Sequence, residues 1–302
     1  MHGVIGMAVT KALAAKDHEV IVLSRSPGQQ KTSLNNVRFA KWDIANQVVD
    51  HSAIANARYI IHLAGASIAG KRWTLRRKNE ILESRVSGSA LLVKSLKEIS
   101  NDVQAVISAS AIGWYGPDNV SRTKEFSEDD SHNEDFLGQT CKKWEDSITP
   151  VRELNKRLVI LRTGIVLSNK GGVLSEFKKP LNFGLATILG GGQQIISWIH
   201  IDDLVRLYIA AIEDENLNGV YNAVAPEPVT NKEMILTLAR EQRGNFFIPV
   251  YVPSFVLKWV LGEMSIEVLK SVTVSNKKIR ATGFSFIYPT IHPAIEALKN
   301  RP

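Results

Sequence analysis

The turns and side chains able to do chemistry stand at the ends of apolar runs. Gly3-Val4-Ile5-Gly6 leads straight into a helical pattern. Gly-x-x-Gly at a helix start offers backbone N–H groups and the positive end of the helix dipole to a phosphate. A side chain at Gly3 is expected to block that phosphate, and one at Gly6 to block close helix–strand packing. The strand-like Val20–Leu23 comes next and ends in Ser24-Arg25-Ser26. A free ribose 2′-OH calls for Asp or Glu at such a strand end, whereas a guanidinium matches a 2′-phosphate. The expected ligand is therefore NADP(H) rather than NAD, held by Gly3, Val4, Ile5, Gly6, Ser24 and Arg25. Asp43, in Trp42-Asp43-Ile44, can accept from the adenine amino group or cap a helix.

Positioning these groups takes a regular scaffold. The runs Val20–Leu23, Val37–Ala40, Tyr59–Leu63, Val103–Ser108 and Leu158–Leu161 are apolar on both faces, as in buried parallel strands. Helical patterns run between them, to about Lys16, over about Trp73–Ile99 and over about Glu134–Leu154. This alternation predicts an α/β doubly wound Rossmann sheet over 1–164, interleaved with 195–225. A substrate-side region is expected over 165–247, and a small helical C-terminal subdomain, rather than more sheet, over 248–302. The usual first strand and first glycine of the fingerprint are absent. The recorded start is thus expected to lie about ten residues late, or the sheet to be compromised.

Composition narrows the partners. Hydrophobic residues make up 44% and charged residues 22% of 302, an ordinary globular balance. No apolar run reaches the roughly 18 residues of a membrane span, and no export leader precedes the first helix. Cys141 is the single cysteine, which suits a reducing, cytoplasmic setting. The seven histidines, from His2 to His292, show no metal-ligand spacing, so no metal is expected. The net charge of +7 is spread among acids. Its one dense cluster, Lys71-Arg72 with Arg76-Arg77-Lys78, lacks aromatic platforms beyond Trp73. It is read as a solvated helix face or a contact for an anionic small molecule, not for nucleic acid. A small-molecule substrate, anionic among the candidates, is the expected partner, with a homodimer as the candidate assembly.

Leu63-Ala64-Gly65-Ala66-Ser67 and Ser108-Ala109-Ser110 complete a pattern that resembles the extended short-chain dehydrogenase/reductases, and more narrowly their epimerase-like subfamily. His62–Ile68, Ser84-Arg85, Ser108–Gly116, Trp144-Glu145, Leu161–Leu167, Ser197–Asp203 and Tyr221–Pro226 carry the resemblance. Gly262-Glu263-Met264 and Gly283-Phe284…Tyr288-Pro289 extend it through a small extra domain. The resemblance implies that Leu63, Ala64 and Gly65 flank the cofactor's ribose and phosphates, and that Ser108 and Ser110 lie near the nicotinamide. It also implies that the region from Arg162 on, with Trp198 and His200, builds the substrate side of an NADP(H)-dependent, epimerase-like oxidoreductase.

The wider superfamily moves protons with Ser or Thr and a Tyr-x-x-x-Lys pair, the Lys lowering the Tyr pKa. Ser110 fits the first role, but Leu137 and Cys141 stand where Tyr and Lys are expected. Tyr115 can supply a phenol from another direction or pack beside the cofactor. His200 can act as acid or base or make a structural hydrogen bond. Arg162 can bind a substrate anion or pair internally. Cys141 is read as a buried, inert thiol, and a non-catalytic NADP(H)-responsive protein is the alternative to an enzyme.

Overall fold

The runs expected to be buried on both faces do become parallel strands. A computed structural model describes residues 3–118 and 124–299; Met1 and His2, and the end of the expected C-terminal subdomain at 300–302, lie outside the described residues. The chain begins α1 (Val4–Ala14), β1 (Val20–Ser24), β2 (Val37–Asp43), β3 (Val48–Val49), α2 (His51–Ala55), β4 (Tyr59–His62) and α3 (Leu75–Glu98). Then come β5 (Ala105–Ala111), α4 (Phe136–Ile148), β6 (Arg157–Thr163), β7 (Ile165–Leu167), α5 (Val173–Leu181), β8 (Leu185–Leu189), β9 (Ile195–Ile196), β10 (Trp198–His200) and α6 (Ile201–Glu213). It finishes with β11 (Gly219–Ala223), β12 (Val229–Thr230), α7 (Asn231–Arg243), β13 (Ile248–Val252), α8 (Ser254–Leu261), α9 (Met264–Leu269), α10 (Lys277–Ala281) and α11 (Ile291–Lys299).

Four parallel strands in the order β11-β6-β5-β4 form the central sheet. On one face Ala105, Ile107, Val159 and Leu161 pack with Val9 and Leu13 of α1 and with the apolar side of α6. On the other, Val106, Leu158 and Ile160 pack with Leu91, Leu92 and Leu96 of α3 and Ile148 of α4. This is the doubly wound arrangement, with period-2 side chains feeding two helical layers. β1 and β2, parallel to each other, belong with β3 to a separate three-stranded sheet. Among the described residues no ladder joins β1 to β4. Their side chains nevertheless share both clusters: Val20 with Tyr59 and Ile61 in one, Leu23 with Ile60 in the other.

Two boundaries differ from expectation. The helix expected over about 134–154 stops at Ile148 and continues as a 3-10 helix over Thr149–Leu154, because Pro150 has no N–H to extend the α-helical ladder. The C-terminal segment does not start with helices. β13 pairs in parallel with β8, so the expected subdomain shares a two-stranded sheet with the preceding region. Among the described residues no helix is long and apolar enough to cross a membrane.

Candidate functional site

Parallel strands bring all their carboxyl ends to one side, where ligands bind in such sheets. Gly3 is the N-cap of α1, in extended conformation (φ −64°, ψ 160°), with no side-chain cap and no acid in the first turn. The first-turn amides are thus left to a ligand or to water. A Cβ on Gly3 would meet nothing within 4 Å, so Gly3 leaves open space in front of the turn. Gly6 differs from expectation: a Cβ there would make an ordinary 3.7 Å contact with Leu63. Helix packing therefore does not require glycine at this position. The close approach is made instead by Gly171, at φ +134°, where a Cβ would lie 3.0 Å from Val4.

At the end of β1, Arg25 is exposed and Ser24 accepts a hydrogen bond from the Ser26 amide at 3.3 Å. The parallel register sets Ser24 beside Lys41 of β2, and Lys41 Nζ donates to the Arg25 carbonyl at 2.9 Å. Lys41 is a second cation at this strand end that the sequence reading missed. It also pairs with Asp43 at 3.3 Å. Asp43 accepts from Asn46 N at 3.3 Å and from Asn46 Nδ2 at 3.1 Å. The Asn46 side chain, ahead of its backbone and Lys41, holds the Asp43 carboxyl below its ordinary pKa. Asp43 therefore closes its own turn rather than capping a helix.

Beyond β4, Leu63 and Ala64 are half-buried and Gly65 is exposed. The Ser84-Arg85 pair braces this turn. Ser84 Oγ accepts from Ala66 N at 2.9 Å, and Arg85 Nη1 donates to Ala66 O at 3.1 Å. A Cβ on Gly65 would come within 3.1 Å of the Arg85 guanidinium, which itself lies 4.9 Å from the Trp144 ring. His62, last in β4, is buried with Nε2 at 3.2 Å from Ser89 Oγ, and burial lowers its pKa to about 4. Ser108 is fully buried and donates to the Ala109 carbonyl.

Register also assembles the candidates for catalysis. Ser110 of β5, Arg162 of β6 and Asn222 of β11 stand in one row across the sheet. Arg162 grips Glu145 of α4 at two points, Nε–Oε1 2.9 Å and Nη2–Oε2 3.0 Å. Ser110 Oγ donates to the same carboxylate at 2.6 Å. Arg162 Nη1 donates to the Tyr115 hydroxyl at 3.1 Å, which donates in turn to Asn222 Oδ1 at 2.7 Å. The guanidinium also stacks 3.6 Å from the Trp114 ring centroid.

This network corrects several sequence-based expectations. Tyr115 is wholly buried, and burial pushes its phenol up to about 12 against the opposing pull of Arg162. Its hydroxyl is held between Arg162 and Asn222 and faces no solvent. Ser110 is 3% exposed and committed to Glu145. Arg162 pairs internally rather than presenting a charge to a substrate anion. Glu145 organises the row, and its signal was the Trp144-Glu145 motif. Trp198 is buried with Nε1 donating to the Glu227 carbonyl at 2.9 Å. His200, also buried, accepts at Nδ1 from the Asp202 amide and packs 4.0 Å from Tyr288. Trp198 and His200 are core residues, not a substrate wall.

The same strand end explains Ser197–Asp203 and Gly283…Pro289. Asp203, fully buried, accepts from Ile287 N at 2.8 Å, from Tyr288 N at 2.9 Å and from Arg206 Nη1 at 3.1 Å. One carboxylate thus ties the first turn of α6 to the C-terminal segment.

Where Tyr and Lys were expected, α4 presents an apolar surface. A Cβ on Gly113 would lie 3.2 Å from Leu137 Cβ and 3.7 Å from Cys141 Sγ. Cys141 is buried, donates to the Ala111 carbonyl, and has its thiol pushed up to about 12, by burial first and then by Glu145. Ile112, Phe136, Leu137 and Trp73 are half-buried; Trp73 and Phe136 meet edge to face at 5.0 Å, and Lys78 Nζ stands 5.1 Å from the Phe136 ring centroid. Contacts from α8 and from the residues flanking α9 reach the starts of α3 and α4: Arg72 donates to the Trp259 carbonyl, Lys78 pairs with Glu263, and Lys270 pairs with Asp135 at 3.0 Å.

A parallel sheet, an open helix N-terminus at its carboxyl edge and a braced glycine turn after β4 define a Rossmann-type nucleotide-binding protein. The chain belongs to the NAD dependent epimerase/dehydratase family, which matches residues 1–223; the domain of unknown function DUF1731 matches 252–298. The Epimerase family protein SSP1921 of Staphylococcus saprophyticus is 35% identical over 303 residues, 98% of this chain and 96% of that protein. The crystal structure of human epimerase family protein SDR39U1 with NADPH is similar at 29% identity and TM-score 0.84, covering 99% of this chain and 97% of the human one. MoeE5 in complex with UDP-glucuronic acid and NAD shares the fold at 18% identity and TM-score 0.79, over 98% of this chain and 95% of that one. The open α1 N-terminus, exposed Gly65 and the strand-end cations fit a nicotinamide dinucleotide.

Proposed function

We propose that the chain is an NADP(H)-dependent, epimerase-like oxidoreductase acting on a carbonyl or alcohol carbon of a small substrate. One observation carries the cofactor choice. Arg25 and Lys41 stand together at the ends of β1 and β2, and the carboxylate nearest them, Asp43, is engaged by Asn46 and Lys41. Two cations suit a 2′-phosphate and leave a bare 2′-OH without its acidic acceptor. NADPH in the human relative supports the same reading.

In this reading the pyrophosphate meets the amides of Val4, Ile5 and Gly6, and the turn Leu63–Gly65 meets the ribose and phosphates. Ser108 and Ser110 shape the floor through the sheet and do not touch the reacting atoms. When bound, the dinucleotide supplies or accepts a hydride. Leu137, Ile112 and Gly113 keep the reacting face dry. Burial of Ser110 and Tyr115 favours the second reading, a cofactor-responsive protein without turnover.

Calorimetric titration with NADPH and NADH tests the cofactor assignment. Arg25→Ala is expected to weaken NADPH about tenfold or more, the scale of one charge-assisted contact, and NADH little. Equal weakening of both would contradict it. Loss of NADPH absorbance with a carbonyl panel separates an enzyme from a binding protein.

A further inference from the structure

We infer that the substrate carries an anionic group, a carboxylate or a phosphate, and that Arg85 binds it with the Trp144 indole N–H and Arg77 at its side. The inference rests on the NADP(H) reading and deepens it by naming the substrate class. Its first support is a contrast between two buried arginines. Arg162, 3% exposed, is neutralised by Glu145. Arg85, 9% exposed, forms no ion pair among the described residues; Arg77, a like charge, acts on it, and no carboxylate does. Residues 1–2, 119–123 and 300–302 bring no acidic side chain that could pair with it. Its Nη1 donates to the Ala66 and Ile81 carbonyls, at 3.1 and 2.9 Å, and its Nε and Nη2 have no acceptor among the described residues.

A cation shut away from water without an anion is costly, and such a site is completed when a ligand supplies the opposite charge. Two further donors stand unpartnered beside it. The Trp144 ring lies 4.9 Å from the Arg85 guanidinium, and its buried Nε1 has no acceptor among the described residues. Arg77 donates to the Ser67 carbonyl, next in the chain to the Ala66 carbonyl that Arg85 holds, and its buried Nε is likewise without an acceptor. Donors from three side chains and no acceptor describe a place for an oxyanion, which accepts N–H bonds and returns none.

The second support is position. The cofactor's own charges have other takers, the pyrophosphate at the amides of α1 and the 2′-phosphate at Arg25 and Lys41. Arg85 stands instead between the turn after β4 and α4, within electrostatic reach of Cys141, where the proton-transfer lysine is expected. Gly65 keeps it open: a Cβ there would come 3.1 Å from the guanidinium carbon, and a larger side chain would cover it. Lys71, Arg72 and Arg76 are exposed around the start of α3 and draw anions towards the same turn. An anionic group held by Arg85 anchors the substrate and leaves its carbonyl or alcohol carbon to the nicotinamide.

The test uses the full chain saturated with NADP+, at constant ionic strength. Acetate and inorganic phosphate are the probes, and acetamide is the uncharged match of acetate. NMR titration should show saturable shifts of the Trp144 indole N–H and the Arg85 Nε–H with one or both anions and none with acetamide. Arg85→Gln should raise the anion Kd about tenfold or more and leave the NADPH Kd within about twofold. Trp144→Phe, which keeps a ring and removes the donor, should raise the anion Kd about fivefold, and it decides the matter should Arg85→Gln not fold. Anions that bind no better than acetamide, or equally well in every folded variant, overturn the inference while leaving the cofactor reading intact. Anion binding that NADP+ abolishes, with an NADPH Kd raised about tenfold in Arg85→Gln, assigns the site to the cofactor and overturns the inference as well. Failure to bind NADPH overturns both.

Discussion

Arg162 of β6 and Glu145 of α4 form a two-point ion pair, at 2.9 and 3.0 Å, with side chains 3% and 8% exposed. It joins the central sheet to the helix where the family's proton-transfer pair is expected, and it holds Ser110 in the same grip. A buried pair of this kind contributes by being complete, because a lone charge left in its place has no solvent to turn to.

Glu145→Gln is accordingly expected to lower unfolding stability by about 3–5 kcal/mol, the range for breaking one side of a buried pair. Replacing both residues, as Glu145→Leu with Arg162→Met, should recover part of that loss. Urea unfolding measures both variants. A Glu145→Gln protein within about 0.5 kcal/mol of the parent, the usual range of surface changes, would sink the assignment.

His62 gives the fold a pH dependence of defined sign. Its folded pKa lies near 4 against an ordinary 6.5, so between those values the unfolded chain binds more protons. Stability should then rise with pH across that window and be lost as pH falls from 6.5 towards 4. The full effect is on the order of 3 kcal/mol. Stability curves for the parent and His62→Asn should converge at the acid end. Parallel curves would show that the imidazole contributes nothing.

Asp203→Asn keeps one acceptor but turns an NH2 donor towards one of the two backbone amides it now satisfies. A cost of about 1–3 kcal/mol follows from leaving a buried amide unpaired. The loosening should be local. Faster hydrogen exchange at Ile287 and Tyr288, with β5 and β6 unchanged, is the expected pattern; uniform protection throughout would count against the clamp.

Gly6→Ala separates packing from ligand approach. A Cβ at this position makes an ordinary contact with Leu63, and alanine gains about 0.5–1 kcal/mol over glycine inside a helix. The variant should be slightly more stable by thermal unfolding and yet bind NADPH less tightly. Destabilisation would show that α1 does need glycine for packing.

Much of this protein is legible in the sequence alone. The apolar runs define parallel strands, and those of β5 and β6 are largely buried while those of β1 and β4 are only half-buried. Arg25 at a strand end, without an acid, follows from chain order, as do Leu137 and Cys141 in place of a proton-transfer pair. Tertiary structure decided the rest, through contacts between residues far apart in sequence. Ser110, Arg162 and Asn222 become neighbours only through strand register, and Glu145 reaches them only because α4 crosses that row. A hydroxyl or guanidinium in a motif carries no mark of whether a carboxylate elsewhere already claims it. Sequence therefore proposed Ser110 and Tyr115 as catalytic and left Arg162 between a substrate anion and an internal pair, and burial with hydrogen bonding made all three part of the scaffold.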